Sequence, residues 1–144
     1  MAKRKPHQES TDIKRIKSQW LKLRALHSRR KWQAAILQAN VVVEIAANLV
    51  VRRELQSKRK LDETFVTHLL KWANGIAGKM DYLILPLFSR NKRLAMLKKQ
   101  KRLVERIDEK RNAIVQRSKL CTEIEANIVV NRAKTVVESL VKIY

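Results

Sequence analysis

The chain has 144 residues, enough for one domain whose core needs no disulfide or metal staple. Apolar residues make up 45%, which excludes the composition of a disordered polymer, and the single cysteine, Cys121, excludes an internal disulfide. Against 13 acidic residues stand 33 Lys and Arg, a net charge of +20 that repels itself in a compact state and attracts polyanions. Nucleic acid is the first partner class for such a charge and an anionic membrane surface the second.

Two glycines and two prolines leave few natural breaks. The predicted fold class is therefore all-α, with long antiparallel helices over about 12–58 and 90–143 around a shorter, broken helical segment at 62–88. Residues 1–11 are read as a disordered basic arm and 12–144 as a single helical domain. The opening MAKRKPHQ has no long apolar run, so it is not read as a secretory signal, and Pro6 is expected to keep it out of helix. Ser10, Thr11 and Asp12 then offer cap oxygens, and Ile13, Ile16, Trp20 and Leu23 follow at spacings of three and four. No Gly or Pro interrupts before position 75, so one helix of roughly 70 Å is expected at about 1.5 Å per residue.

Within that helix, AAILQANVVVEIAANLVV (34–51) holds fourteen apolar residues in eighteen. A membrane span would place Glu44 near the bilayer centre, at about 2.5–3.5 kcal/mol, with Gln38, Asn40 and Asn48 adding more. Asn40, Glu44, Asn48 and Arg52 fall on one ridge because i and i+4 are neighbours, and the rest of the cylinder is apolar. One partner helix cannot cover so much, which leaves a monomeric core or an interface between identical subunits. The interface is the favoured expectation, carried by Ile36, Val42, Val43, Glu44, Ile45, Leu49 and Val50. Glu44 is then expected to pair with Arg52 or with a cation of a neighbouring chain.

Asp62 can cap the next helix, whose residues Phe65, Val66, Leu69, Leu70 and Trp72 are read as one apolar face. Gly75 and Gly78 loosen the chain, Pro86 is expected to forbid a continuous helix, and Ser89 can cap the last one. Leu94, Leu97, Val104, Ile107, Ile114, Cys121, Ile124 and Ile128 form its predicted apolar stripe, with Cys121 a small core residue. EIAANLVVRR (44–53) and EIEANIVVNR (123–132) share seven of ten residues, an echo too short to make a tandem repeat.

Chemistry-bearing constellations are not apparent. His7, His27 and His68 are scattered, no metal-ligand spacing occurs, and GIAGK (75–79) lacks the spacing and the Ser/Thr of a phosphate-binding P-loop. No catalytic residue, metal, cofactor or small-molecule substrate is therefore expected, and an enzyme is the least favoured class. The basic clusters carry more. Lys14, Arg15, Lys17, Lys22, Arg24, Arg29, Arg30 and Lys31 load the first helix. Arg90, Lys92, Arg93, Lys98, Lys99, Lys101, Arg102 and Arg106 load the start of the last, with Lys110 and Arg111 continuing it. Such helices can lie along a phosphate backbone and release its counterions. Trp20 and Trp32 at helical spacing are read as core rather than as base-stacking rings.

RRELQSKRKLDETFVTHLLKWANGIAGKMDYL (52–83) resembles the central part of phage terminase small subunits, with Arg53-Glu54-Leu55, Asp62-Glu63 and Gly75 to Leu83 in comparable places. Met80 stands where members often carry proline, and no N-terminal helix-turn-helix is visible. The resemblance implies a ring-forming, non-enzymatic DNA-binding protein that delivers viral DNA to a packaging ATPase, in the host cytoplasm. The sequence thus reads as a self-associating nucleic-acid-binding protein of a reducing intracellular compartment, with DNA favoured over RNA. Two alternatives stay open: a structural RNA-binding component of a ribonucleoprotein, and a membrane-surface or helical scaffold protein.

Overall fold

A computed structural model describes residues 6–143, with side chains from Thr11 onward; residues 1–5 of the expected basic arm lie outside the described residues. The chain is all-α. Its elements are α1 (Pro6–Ser28), α2 (Trp32–Arg52) prolonged by a π-helical turn (Arg53–Lys58), and α3 (Glu63–Trp72). Then come α4 (Gly75–Lys79), which runs through a second π-helical turn (Met80–Ile84) into α5 (Leu85–Leu87), followed by α6 (Leu94–Arg117) and α7 (Glu123–Val141).

Pro6 opens α1 instead of excluding it, because the N–H it lacks belongs to the first turn, where no helical acceptor exists. Residues 6–11 are accordingly helical and not an arm. The helix expected over 12–58 is broken at Arg29–Lys31. Arg30 adopts a φ of 58°. Its N–H donates to the His27 carbonyl at 3.1 Å and that of Lys31 to the Leu26 carbonyl at 3.0 Å, the bond pair that closes a helix through a left-handed residue. The chain turns back, making α1 and α2 an antiparallel pair. Gln38 Nε2 donates to the Gln19 carbonyl at 3.0 Å, and the rings of His27 and Trp32 meet edge-on with centroids 5.3 Å apart.

Lys60 (φ 56°) and Ser118 (φ 51°) end the first π-helical turn and α6 through the same left-handed conformation. The helix predicted over 90–143 is thus divided into α6 and α7, which pack against each other. Ser89 is not its cap: Asn91 Oδ1 accepts from the Arg93 N–H at 2.9 Å and α6 begins at Leu94. Because the break at Ser118 re-phases the stripe, Leu97, Val104 and Ile107 are buried whereas Ile124 and Ile128 are exposed. In the centre, Asp62 Oδ2 accepts from the N–H groups of Thr64 (3.0 Å) and Phe65 (3.3 Å), the expected cap. Pro86 does not stop the helix. The widened π-helical turn just before it changes the bonding pattern where its ring would meet the preceding carbonyl.

α2 is the axis of the molecule, packed by α1, α7, α6 and α4. Ile36, Val42, Val43, Leu49 and Val50 are each at most 2% exposed inside a single chain. The subunit interface expected of these residues is therefore corrected: the chain's own helices cover them, and Glu44 and Ile45 are half-buried. The helix running Trp32–Lys58 is long and apolar enough to cross a membrane, yet 67% of its apolar window is buried in the fold, as in a core helix.

The polar ridge of α2 faces the second half of the chain. Asn40 Nδ2 approaches Asp108 Oδ1 on α6 at 3.5 Å, Glu44 Oε1 accepts from Lys79 Nζ on α4 at 3.0 Å, and Arg52 donates to Thr67 Oγ1 on α3 at 3.2 Å. Three of the four ridge side chains, Asn40, Glu44 and Arg52, thus set the register between α2 and the α3–α4–α6 layer, whereas Asn48 Oδ1 is buried without a hydrogen-bond partner among the described residues. Within the chain Glu44 pairs with Lys79 on α4 rather than with Arg52.

Candidate nucleic-acid interface

Folding separates the two basic clusters. α1 packs chiefly on α2, whereas α6 packs on α2, α4 and α7, so the two clusters belong to helices with different packing neighbours. On α1, Ile16 and Leu23 point inward, with Trp20 packed at the edge of the core as expected. That leaves Lys14, Arg15, Lys17, Lys22 and Arg24 exposed, followed by Arg29, Arg30 and Lys31 in the turn. The same inward stripe logic exposes Lys98, Lys99, Arg102 and Arg106 on α6, opposite Leu97, Val104 and Ile107. Lys98, Arg102 and Arg106 recur every four residues and make one row, with a rise of about 6 Å between members. Among the described residues, none of these α1 and α6 cations is ion-paired.

Two predicted members are engaged within the chain. Lys101 Nζ lies 3.0 Å from Asp81 and 3.6 Å from Glu105, and the hydrogen bond to Asp81 raises its pKa. Arg93 is half-buried and donates to the Ile143 carbonyl. Arg90 and Lys92 are exposed in the turns before α6.

A second cationic feature joins α6 to α7. Arg106, Glu109, Lys110 and Ala113 from α6, Lys119 from the connecting loop and Arg132 from α7 line a cleft of about 350 Å³. Two of these lining residues share one acceptor: Glu125 Oε2 accepts from both Lys110 and Lys119, the latter at 3.2 Å. These two hydrogen bonds, the Lys110 one foremost, hold the Glu125 carboxyl down at about 2. Glu125 also closes a capping box with Thr122, whose Oγ1 accepts from the Glu125 N–H at 3.2 Å. Lys119 and Arg132 were not among the predicted site residues. Arg132 ends the echo of 44–53, but nothing in the spacing shows that a left-handed Ser118 swings α7 back so that Arg132 faces Arg106.

The remaining motifs have structural uses. Lys79 of GIAGK is 3% exposed and held by Glu44, so it does not offer its charge to a phosphate. Cys121 is buried, and burial pushes its thiol pKa up. His27 Nε2 bonds Asn127 Oδ1, while His68 is exposed on α3. The apolar face expected on α3 is split: Val66 and Leu70 point inward, and Phe65 and Trp72 are 51% and 67% exposed. Trp72 contacts Tyr82, itself 62% exposed, with ring centroids 5.6 Å apart.

The chain matches no protein-family model, no curated protein and no solved structure.

Proposed function

We propose that this protein is a non-enzymatic nucleic-acid-binding protein that grips the phosphate backbone through the exposed faces of α1 and α6. The supporting observation is the unpaired row Lys98, Arg102 and Arg106 with Lys99 beside it, on a chain of net charge +20. Unpaired surface cations repel one another, and a polyanion removes that repulsion while shedding its own counterions. Side chains of this kind position a duplex without reading its sequence, so affinity is expected to be nearly independent of base order. The narrower form of the proposal is the DNA-recognition subunit of a phage packaging machine, working with a packaging ATPase. It is carried by the resemblance of residues 52–83.

The test is fluorescence anisotropy with a random-sequence duplex. Replacing Lys98, Lys99, Arg102 and Arg106 together by Gln is expected to weaken binding by at least about tenfold, near 1.4 kcal/mol. Unchanged affinity would remove α6 from the interface.

A second reading, a structural RNA component, is favoured by one observation. The exposed Trp72–Tyr82 pair offers ring faces to unpaired bases, whose stacking on aromatics contributes about 1–3 kcal/mol per base. Tighter binding of single-stranded RNA than of duplex DNA, lost in Trp72→Ala, would favour that reading over the first.

A further inference from the structure

We infer that the cleft between α6 and α7 is a discrete site for one phosphate group, set apart from the diffuse attraction of the basic faces. Arg106 and Arg132 reach it from opposite helices, and neither is ion-paired among the described residues. Lys110 and Lys119 are drawn together by a single carboxylate oxygen of Glu125. Each ammonium carries three donors, so both keep hydrogen-bonding capacity for a second oxyanion after serving Glu125. Even with Glu109 at the lining and Glu125 bonded to the two lysines, two positive charges remain uncompensated in one concavity.

Like charges so gathered cost free energy until an anion arrives, and a phosphate oxyanion suits the donors present. Two guanidinium forks can each take a pair of its oxygens, while the ammonium groups act as point charges. The side chains of Lys110 and Lys119 are 27% and 44% exposed, so the charges act at a partly desolvated surface where their interactions exceed those in bulk water. At about 350 Å³ the cleft lies at the low end of ligand pockets, roughly 300–1,000 Å³, with room for a phosphate and part of what bears it. A terminal phosphate of a nucleic acid and free inorganic phosphate present the same chemistry here.

The site stands whether or not the nucleic-acid reading holds, and calorimetric titration of the full chain separates the two. Inorganic phosphate is expected to bind one saturable site. Arg106→Gln and Arg132→Gln should each weaken it by roughly 10–100-fold, the loss of a charge-assisted hydrogen-bonding group. Arg132→Lys should retain part of the affinity, and Glu109→Gln should tighten it by removing the opposing charge. Arg15→Gln with Arg24→Gln, which deletes twice the charge of either cleft variant but on α1, should leave it unchanged. Comparing an oligonucleotide with and without a 5′-phosphate distinguishes the sources: preference for the phosphorylated end, abolished by Arg132→Gln, assigns the site to a nucleic-acid terminus, and equal binding assigns it to the free anion. Non-saturable binding, or equal losses in the α1 and cleft variants, overturns the inference. Duplex affinity that survives such a failure leaves the proposed function intact.

Discussion

Lys79 shows how one side chain can change the reading of a whole segment. Its side chain is 4% exposed, whereas its partner Glu44 keeps 37% of its side chain in solvent. The two members of the pair therefore differ in what they leave behind. Glu44→Ala strands a buried cation and is expected to destabilise by about 1–3 kcal/mol. Lys79→Met leaves a carboxylate that water still reaches, and is expected to change stability by less than about 1.5 kcal/mol, as buried pairs replaced by apolar residues often do. Urea midpoints measure both, and equal losses would mean that solvent does not sustain Glu44. Arg30 and Ser118 hold left-handed backbone at φ 58° and 51° with side chains that disfavour it. Glycine at either position should raise the unfolding free energy by up to about 1 kcal/mol and with it the urea midpoint. A lowered midpoint would show that those side chains make contacts worth more than the strain.

At the level of elements, the decisive one is α2. Val43 is 0% exposed within a single chain. Val43→Asp puts an unpaired carboxylate in the core, so the expected outcome is loss of cooperative folding by circular dichroism, not a folded monomer released from an oligomer. A folded, dissociated subunit would restore the interface that burial argues against. The junction of α6 and α7 has a pH signature. Glu125 titrates at about 2 in the folded chain against an ordinary 4.5, so its folded pKa is depressed. The stability it contributes is present above about 4.5 and is lost as pH falls from there through about 2. Glu125→Gln should flatten that acid limb in a denaturation series, and an unchanged limb would mean the Lys110 and Lys119 bonds do not persist in solution.

For the molecule as a whole, the sequence showed more of the composition of the fold than of its turns. Sparse Gly and Pro with three- and four-residue apolar spacing made an all-α chain legible, as did the Asp62 cap and the central break. Arg30, Lys60 and Ser118 were illegible as helix ends, because each takes a conformation usually marked by glycine. The consequence was large. With α1 and α2 read as one rod, and α6 and α7 as another, the apolar circumference of 34–51 lacked enough neighbours, and a second subunit was needed to cover it. Once the rods fold into pairs, α1, α7, α6 and α4 supply the cover. The basic residues were legible one by one, yet their grouping was not: α1 and α6 part company, and Arg132 joins Arg106 only through the turn at Ser118. What remains outside is a folded core carrying unpaired cations on two helices. The salt dependence of duplex DNA binding tests that most directly. A log–log plot of affinity against salt should fall with a slope of about −0.9 for each phosphate neutralised, and several contacts are expected from the two faces. A response flat with salt would contradict backbone binding by these surfaces.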